Sequence, residues 1–221
     1  MDKRTQYFIV LMTLHSSLLV TSTIAGSKFF ALPLGFSASA TVLSYMFTFI
    51  ILDSIAELYG RQYSRFVINL GLVAMALSTV YFQFAIWLPP AGFWEEQKAL
   101  ESILGSSWRI WLVGWTAYMV SQNVDLWSFL KLKQLPLGRA SLPFRAWASM
   151  VVGQLLDTVI FLTIAFYGSE PIWSVIPGQY FIKVIIATIT TPFVSLAVAL
   201  GRHFIGDVHP RISLAADEKP R

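Results

Sequence analysis

Six long stretches of this chain are predominantly apolar, and short polar breaks divide them. They run at approximately 6–27, 37–57, 65–88, 109–130, 146–168 and 180–203. A helix needs about 20 apolar residues to cross the hydrocarbon core of a bilayer, so each stretch is long enough. The breaks are ALPLG at 31–35, YGRQYSR at 59–65, LPPAG at 88–92, KLKQLPLGR at 131–139 and GSEP at 168–171. They hold the Pro, Gly and charged residues that turns require. The pattern predicts an all-α integral membrane protein of six transmembrane helices over residues 1–205, with a short polar tail over 206–221. No connection between spans is long enough for a soluble domain.

Composition agrees with this reading. Of 221 residues, 56% are hydrophobic and 13% charged, against about 25% charged in soluble domains. Mean hydropathy is +0.63. An MDKR opening before an apolar run also begins secretory signals, but this run is longer than a signal core and no A-x-A site follows, so the first span is expected to be retained. Cytoplasmic loops collect Lys and Arg. Twelve of the 16 fall at the termini or after the second and fourth spans, and the others are Lys28, Lys98, Arg109 and Lys183. Both termini are therefore expected in the cytoplasm, with the 93–107 connection and its Glu95, Glu96 and Glu101 outside. This sorting accounts for the net charge of +4. No basic face interleaved with aromatics marks a nucleic-acid partner. Cysteine is absent, and His15, His203 and His209 lack metal-ligand spacing.

Polar residues inside the spans change the picture most, because an ionisable group at mid-bilayer costs about 2.5–3.5 kcal/mol and tends to face a bundle interior or wet cavity. The frame Q-x-x-D-x-x-x-F occurs twice: Gln122, Asp125 and Phe129 in the fourth span, and Gln154, Asp157 and Phe161 in the fifth. Positions i, i+3 and i+7 share a helix face, so neighbouring antiparallel helices carry matched stripes able to look into one space. Interhelical glue is the plainer role. Amides alone would serve it, at an average of about 0.6 kcal/mol per bond, so a cavity role is favoured for Asp125 and Asp157. Asp53 and Glu57 stand one turn apart near the inner end of the second span. Glu57 can pair with Arg61 as an interfacial cap, while Asp53 lies deeper. Lys183 either snorkels to the outer interface or pairs with a cavity carboxylate. Trp115, seven residues before Gln122, shares its face and could stack on a flat ligand, with core packing as the alternative. Trp87, Trp94, Trp108 and Trp173 fall near interfaces, where aromatic belts are expected. His15 is expected to be a polar core residue.

Motifs for other chemistries are missing. There is no G-x-x-x-x-G-K-[ST] phosphate loop, no G-x-S-x-G and no H-E-x-x-H. Two acids sharing a proton could support intramembrane proteolysis, but the glycine-flanked acid of such proteases is absent. A non-enzyme working without a cofactor is expected.

Taken together, D-S-I-A-E-L-Y-G at 53–60, S-Q-x-x-D-x-x-x-F at 121–129, G-Q-x-x-D-T-x-x-F at 153–161 and Y-F-I-K-V at 180–184 resemble the queuosine precursor transporter family, also called the vitamin uptake transporter family. The likeness extends from the first span to about residue 203. It implies a six-helix architecture similar to the substrate-binding subunits of energy-coupling-factor importers, a place in the bacterial inner membrane, and uptake of 7-deazaguanine precursors of the tRNA nucleoside queuosine. It carries over Asp53, Glu57, Tyr59, Gly60, Gln122, Asp125, Gln154, Asp157 and Lys183. The first-span motif of many relatives is similar to S-N-x-x-x-x-K. Here it reads STIAGSK at 22–28, with Thr23 in place of the amide and Lys28 matching.

A deazaguanine edge offers an N–H and an amino group beside a carbonyl. Carboxylates accept from the first two, and a Gln amide donates to the third. On this reading Asp125 and Asp157 accept from the base, Gln122 and Gln154 orient it, Trp115 or Phe129 stacks on it, and Glu57 or Lys183 contributes gating or charge balance. The pattern also admits a binding subunit for another vitamin-like heterocycle served by a separate ATP-driven module, and either a monomer or a homo-oligomer.

Overall fold

The computed structural model describes residues 1–26, 28–31, 37–105, 108–134, 141–165 and 172–206. In chain order the elements are α1 (Lys3–Ala25), β1 (Phe29–Ala31), β2 (Ser37–Ser39), α2 (Thr41–Leu58), α3 (Arg61–Trp87), α4 (Gln97–Leu104), α5 (Trp108–Gln134), α6 (Leu142–Ala165), α7 (Ile172–Thr190) and α8 (Pro192–Ile205). Five segments are long and apolar enough to cross a membrane: α1, α2, α3, α6 and the α7–α8 stretch from Ile176 to Ile205. The chain is an all-α, multi-pass membrane protein. At 27 residues, α5 has the length, about 40 Å at 1.5 Å per residue. Its tryptophans and polar stripe make it less apolar than the others.

A helix that is apolar all round belongs in the middle of a bundle, and α2 sits there. From Tyr45 to Ala56 every residue but Phe47 is buried. Around it pack α1, α3, α5, α7 and α8, while α5 lies along α6 and α6 along α7. Met46, Phe49, Leu52 and Ile55 of α2 form one core with Leu19, Ile68, Tyr118, Phe129 and Met150. By contrast, Phe66, Val73, Leu77 and Val80 project outward from α3, an apolar surface suited to lipid.

Glycines set two of the closest helix approaches. A Cβ on Gly71 would strike the Tyr118 hydroxyl and lie 2.7 Å from Leu19 Cδ1, so α3 touches α1 and α5 directly there. On α6, a Cβ at Gly153 would lie 3.1 Å from Asp125 Cβ and 3.2 Å from the Ser121 carbonyl.

Several boundaries differ from the sequence reading. The second span starts at Thr41, because residues 37–39 pair antiparallel with 29–31 as a hairpin. The expected single helix over 180–203 is two helices, the first beginning at Ile172. Pro192 has no N–H to continue the ladder. Thr191 accordingly turns both its N–H, at 2.9 Å, and its hydroxyl, at 2.6 Å, back to the Ala187 carbonyl. The 93–107 connection contains α4, held to α3 by Gln97 Nε2 donating to the Ile86 carbonyl at 3.0 Å. The breaks at 31–35, 131–139 and 168–171 lie mostly outside the described residues. So do the side chains of Trp173 and Arg109 and the tail from residue 207.

Candidate functional site

A column of polar side chains runs down the seam where α2, α5 and α6 meet, and the antiparallel run of α5 and α6 sets its order. Because the two Q-x-x-D frames are read in opposite directions, each acid falls near the level of the other helix's amide. Asp125 packs on Gly153, next to Gln154. Ser121, next to Gln122, meets Asp157 through the Tyr45 hydroxyl. The acids therefore sit at different depths.

At the Thr41 end of α2, Asp157 is held on both oxygens. Tyr45 donates its hydroxyl to Oδ1 at 3.1 Å, and Lys183 Nζ lies 2.6 Å from Oδ2. Of the two sequence alternatives for Lys183, the structure has the carboxylate pair. Midway, Gln122 donates Nε2 to the Thr48 hydroxyl at 3.0 Å. Gln122 Oε1 and both polar atoms of Gln154 are buried with no hydrogen-bond partner among the described residues. Deeper still, Asp53 and Asp125 are each 0% exposed. All four of their oxygens also lack a partner among the described residues.

The Leu58 end closes on Glu57, which gathers Lys133 at 3.0 Å, Arg145 at 3.4 Å and Arg202 at 3.7 Å from α5, α6 and α8. The expected pairing with Arg61 is not formed. Gly60, at φ +87°, turns the chain between α2 and α3, so Glu57 and Arg61 do not share one helix and i, i+4 geometry is lost. Arg61 is exposed. Phe129 is buried with the Arg145 guanidinium over its ring at 5.1 Å, so one face of this stacking candidate is already taken. Trp115 is half-buried against the apolar core, and Phe161 is half-buried.

Sequence reasoning missed Tyr45, Thr48 and Arg145. Arg145 follows the fourth span in sequence, where the charge count expects loop cations, yet it is 6% exposed within α6. A signal existed: Ser149 and Gly153 follow it at i+4 and i+8, a face of small residues that leaves room for its guanidinium. His15 is fully buried, as expected, but both ring nitrogens are unpartnered among the described residues. It lies apart from the column, between α1, α3 and α5, near Gly71 and Tyr118. The described residues contain no group of three or more side chains able to hold a metal.

Comparisons with known proteins agree on one class. Residues 39–197 match the model of a family described as "Putative vitamin uptake transporter". The chain is 29% identical over 162 residues to a protein of Bacillus subtilis (strain 168) named "Probable queuosine precursor transporter", covering 72% of this chain and 71% of the relative. No solved structure matches it significantly.

Proposed function

We propose, on the premise that this chain belongs to the vitamin uptake transporter family, that it is a six-span importer carrying 7-deazaguanine precursors of queuosine across the bacterial inner membrane. The substrate class follows the name of the Bacillus subtilis relative and the motifs at 53–60, 121–129 and 153–161. In this reading α5 is the sixth span, and the cation-rich Leu58 end of α2 faces the cytoplasm.

The observation that carries the reading is the middle of the column, where Gln122 Oε1, Gln154 Oε1 and Gln154 Nε2 are buried and bond nothing among the described residues. A buried polar group without a partner costs about 1–3 kcal/mol. A polar ligand removes that cost. Gln122 and Gln154 orient the base, an oxygen of Asp125 accepts one of its N–H groups, and Trp115 offers a ring for stacking. The Asp157–Lys183 pair and the Glu57 cluster close the two ends.

Protein reconstituted alone in liposomes is expected to exchange labelled 7-deazaguanine base for unlabelled. Q122L and Q154L should each weaken apparent affinity about tenfold, the worth of roughly one hydrogen bond. Binding without exchange would favour the subunit that needs an ATP-driven module. Failure to bind any such base would overturn the proposal.

A further inference from the structure

We propose, resting on the importer reading above, that two helix groups rock against each other with the Thr191–Pro192 joint as their hinge. One group is α1, α2 and α8, the other α5, α6 and α7, and the motion opens the seam to one side of the membrane at a time.

Packing divides the chain in this way. α2 lies chiefly along α1 and α8, and α6 chiefly along α5 and α7. In the first group Tyr7 of α1 donates to the Ala197 carbonyl of α8 at 2.6 Å, and Gly201 of α8 sits against Leu58 of α2 and Tyr7. In the second, Lys183 lies on Asp157, Tyr180 donates to the Val151 carbonyl at 3.2 Å and Trp147 Nε1 to the Thr188 hydroxyl at 3.0 Å. The tight contact of Gly153 with α5 is also internal to that group. The face left to open lies between α2 and the α5–α6 pair, where α2 meets α6 only sparsely. Gln122 and Gln154 have polar atoms there that bond nothing among the described residues, so entering water or base satisfies them.

The ties across the two ends break without stranding an acid. At the outer end Tyr45 crosses to Asp157 and Ser121, and Asp157 keeps Lys183 of its own group when that tie opens. At the inner end Glu57 crosses to Lys133 and Arg145 and keeps Arg202 of its own group. Each acid thus holds a cation in either position, which avoids an unpaired buried charge.

The hinge lies where the second group hands the chain to the first. Thr191 stays helical, at φ −51° and ψ −40°, so α7 runs into α8 without a loop. Pro192 lacks the N–H that would bond the Thr188 carbonyl. The Thr190 and Thr191 hydroxyls turn back to the carbonyls of Ile186 and Ala187, a bonding that favours bending. Phe193 meets Phe47 ring to ring, which sets the joint at the level of Thr48. A second crossing shares that depth: Gly71 of α3 seats Tyr118 of α5, which donates to the Ile68 carbonyl at 2.9 Å. Tyr118 stands one turn from Gln122, itself bonded to Thr48. Rocking about these two mid-depth crossings widens one end of the seam as it narrows the other.

Spin labels on L43C and F181C, both exposed positions, report across the boundary, and labels on L14C and L43C report within one group. The first pair is expected to give two distances whose proportions shift when 7-deazaguanine is added, and the second pair one distance. Y45F cuts the outer tie and should raise the population of the longer distance severalfold. P192A restores a helix former and its N–H at a position already helical. It should leave base affinity unchanged, merge the two distances into one and slow exchange in liposomes severalfold. A single cross-boundary distance in every condition, or two distances that P192A leaves as they were, overturns the proposal. Two distances that P192A merges, in a protein that neither binds nor exchanges deazaguanine, would support the hinge and sink the importer reading instead.

Discussion

Lys183 Nζ lies 2.6 Å from Asp157 Oδ2, and this pair joins α7 to α6 with both side chains largely buried, at 13% and 12% exposure. Tyr45 of α2 bonds the same carboxylate, so one acid ties three helices. Removing one partner of a buried pair costs about 3–5 kcal/mol because the other charge is stranded. K183M is therefore expected to destabilise the purified protein by about that amount, and K183M/D157N to recover most of the loss. A double-variant loss equal to the sum of the K183M and D157N losses, followed by thermal unfolding in detergent, would show that the two residues act independently.

The three cations on Glu57 should not count equally. Lys133 and Arg202 have side chains 45% and 63% exposed, where ion pairs are worth about 0–1 kcal/mol. Arg145 is 7% exposed at the side chain and also covers Phe129. R145A is expected to cost several times more stability than K133A or R202A, and R145K to rescue little, since ammonium lacks the planar stacking surface. Equal losses in all three would contradict the burial order.

Gly153 and Gly114 form a matched pair of tests. A Cβ at Gly153 would lie 3.1–3.2 Å from Asp125, Phe49 and Ser121, whereas one at Gly114 would meet nothing within 4 Å. G153A is expected to destabilise by about 1–3 kcal/mol through overpacking and G153L to block folding. G114A should be neutral or stabilising by up to about 1 kcal/mol from helix propensity. A thermally robust G153L would refute the close approach of α5 and α6.

At His15 both ring nitrogens are buried and unpartnered among the described residues. An apolar group of similar size removes that desolvation cost. H15L is expected to match or exceed the wild-type melting temperature, and a loss of several degrees would indicate a polar role for the imidazole.

The fold was legible where periodicity and polarity conflict with a bilayer. Gln122, Asp125, Gln154 and Asp157 stood out because acids and amides are costly in apolar runs, and all four are buried in one seam. Tyr45 and Thr48 were silent, because a hydroxyl on an otherwise apolar helix reads as core until its partner on another helix is known. The Glu57–Arg145 contact joins residues 88 apart in sequence, a separation at which local patterns carry no information. Pro192 inside an apolar run was the one local sign of the α7–α8 break, and hydropathy alone passed over it.

The proposed function requires the α2–α5–α6 seam, whose Ser121, Gln122 and Gln154 are 0% exposed, to open to water and to hold the base. Because the chain has no cysteine, single cysteines report on it cleanly. Placed at Ser121, within the seam, S121C is expected to react with a water-soluble thiol reagent and to be protected by a 7-deazaguanine base, while L77C on the outward face of α3 stays unlabelled. An S121C thiol that never reacts, or reacts equally with and without the base, would contradict the account.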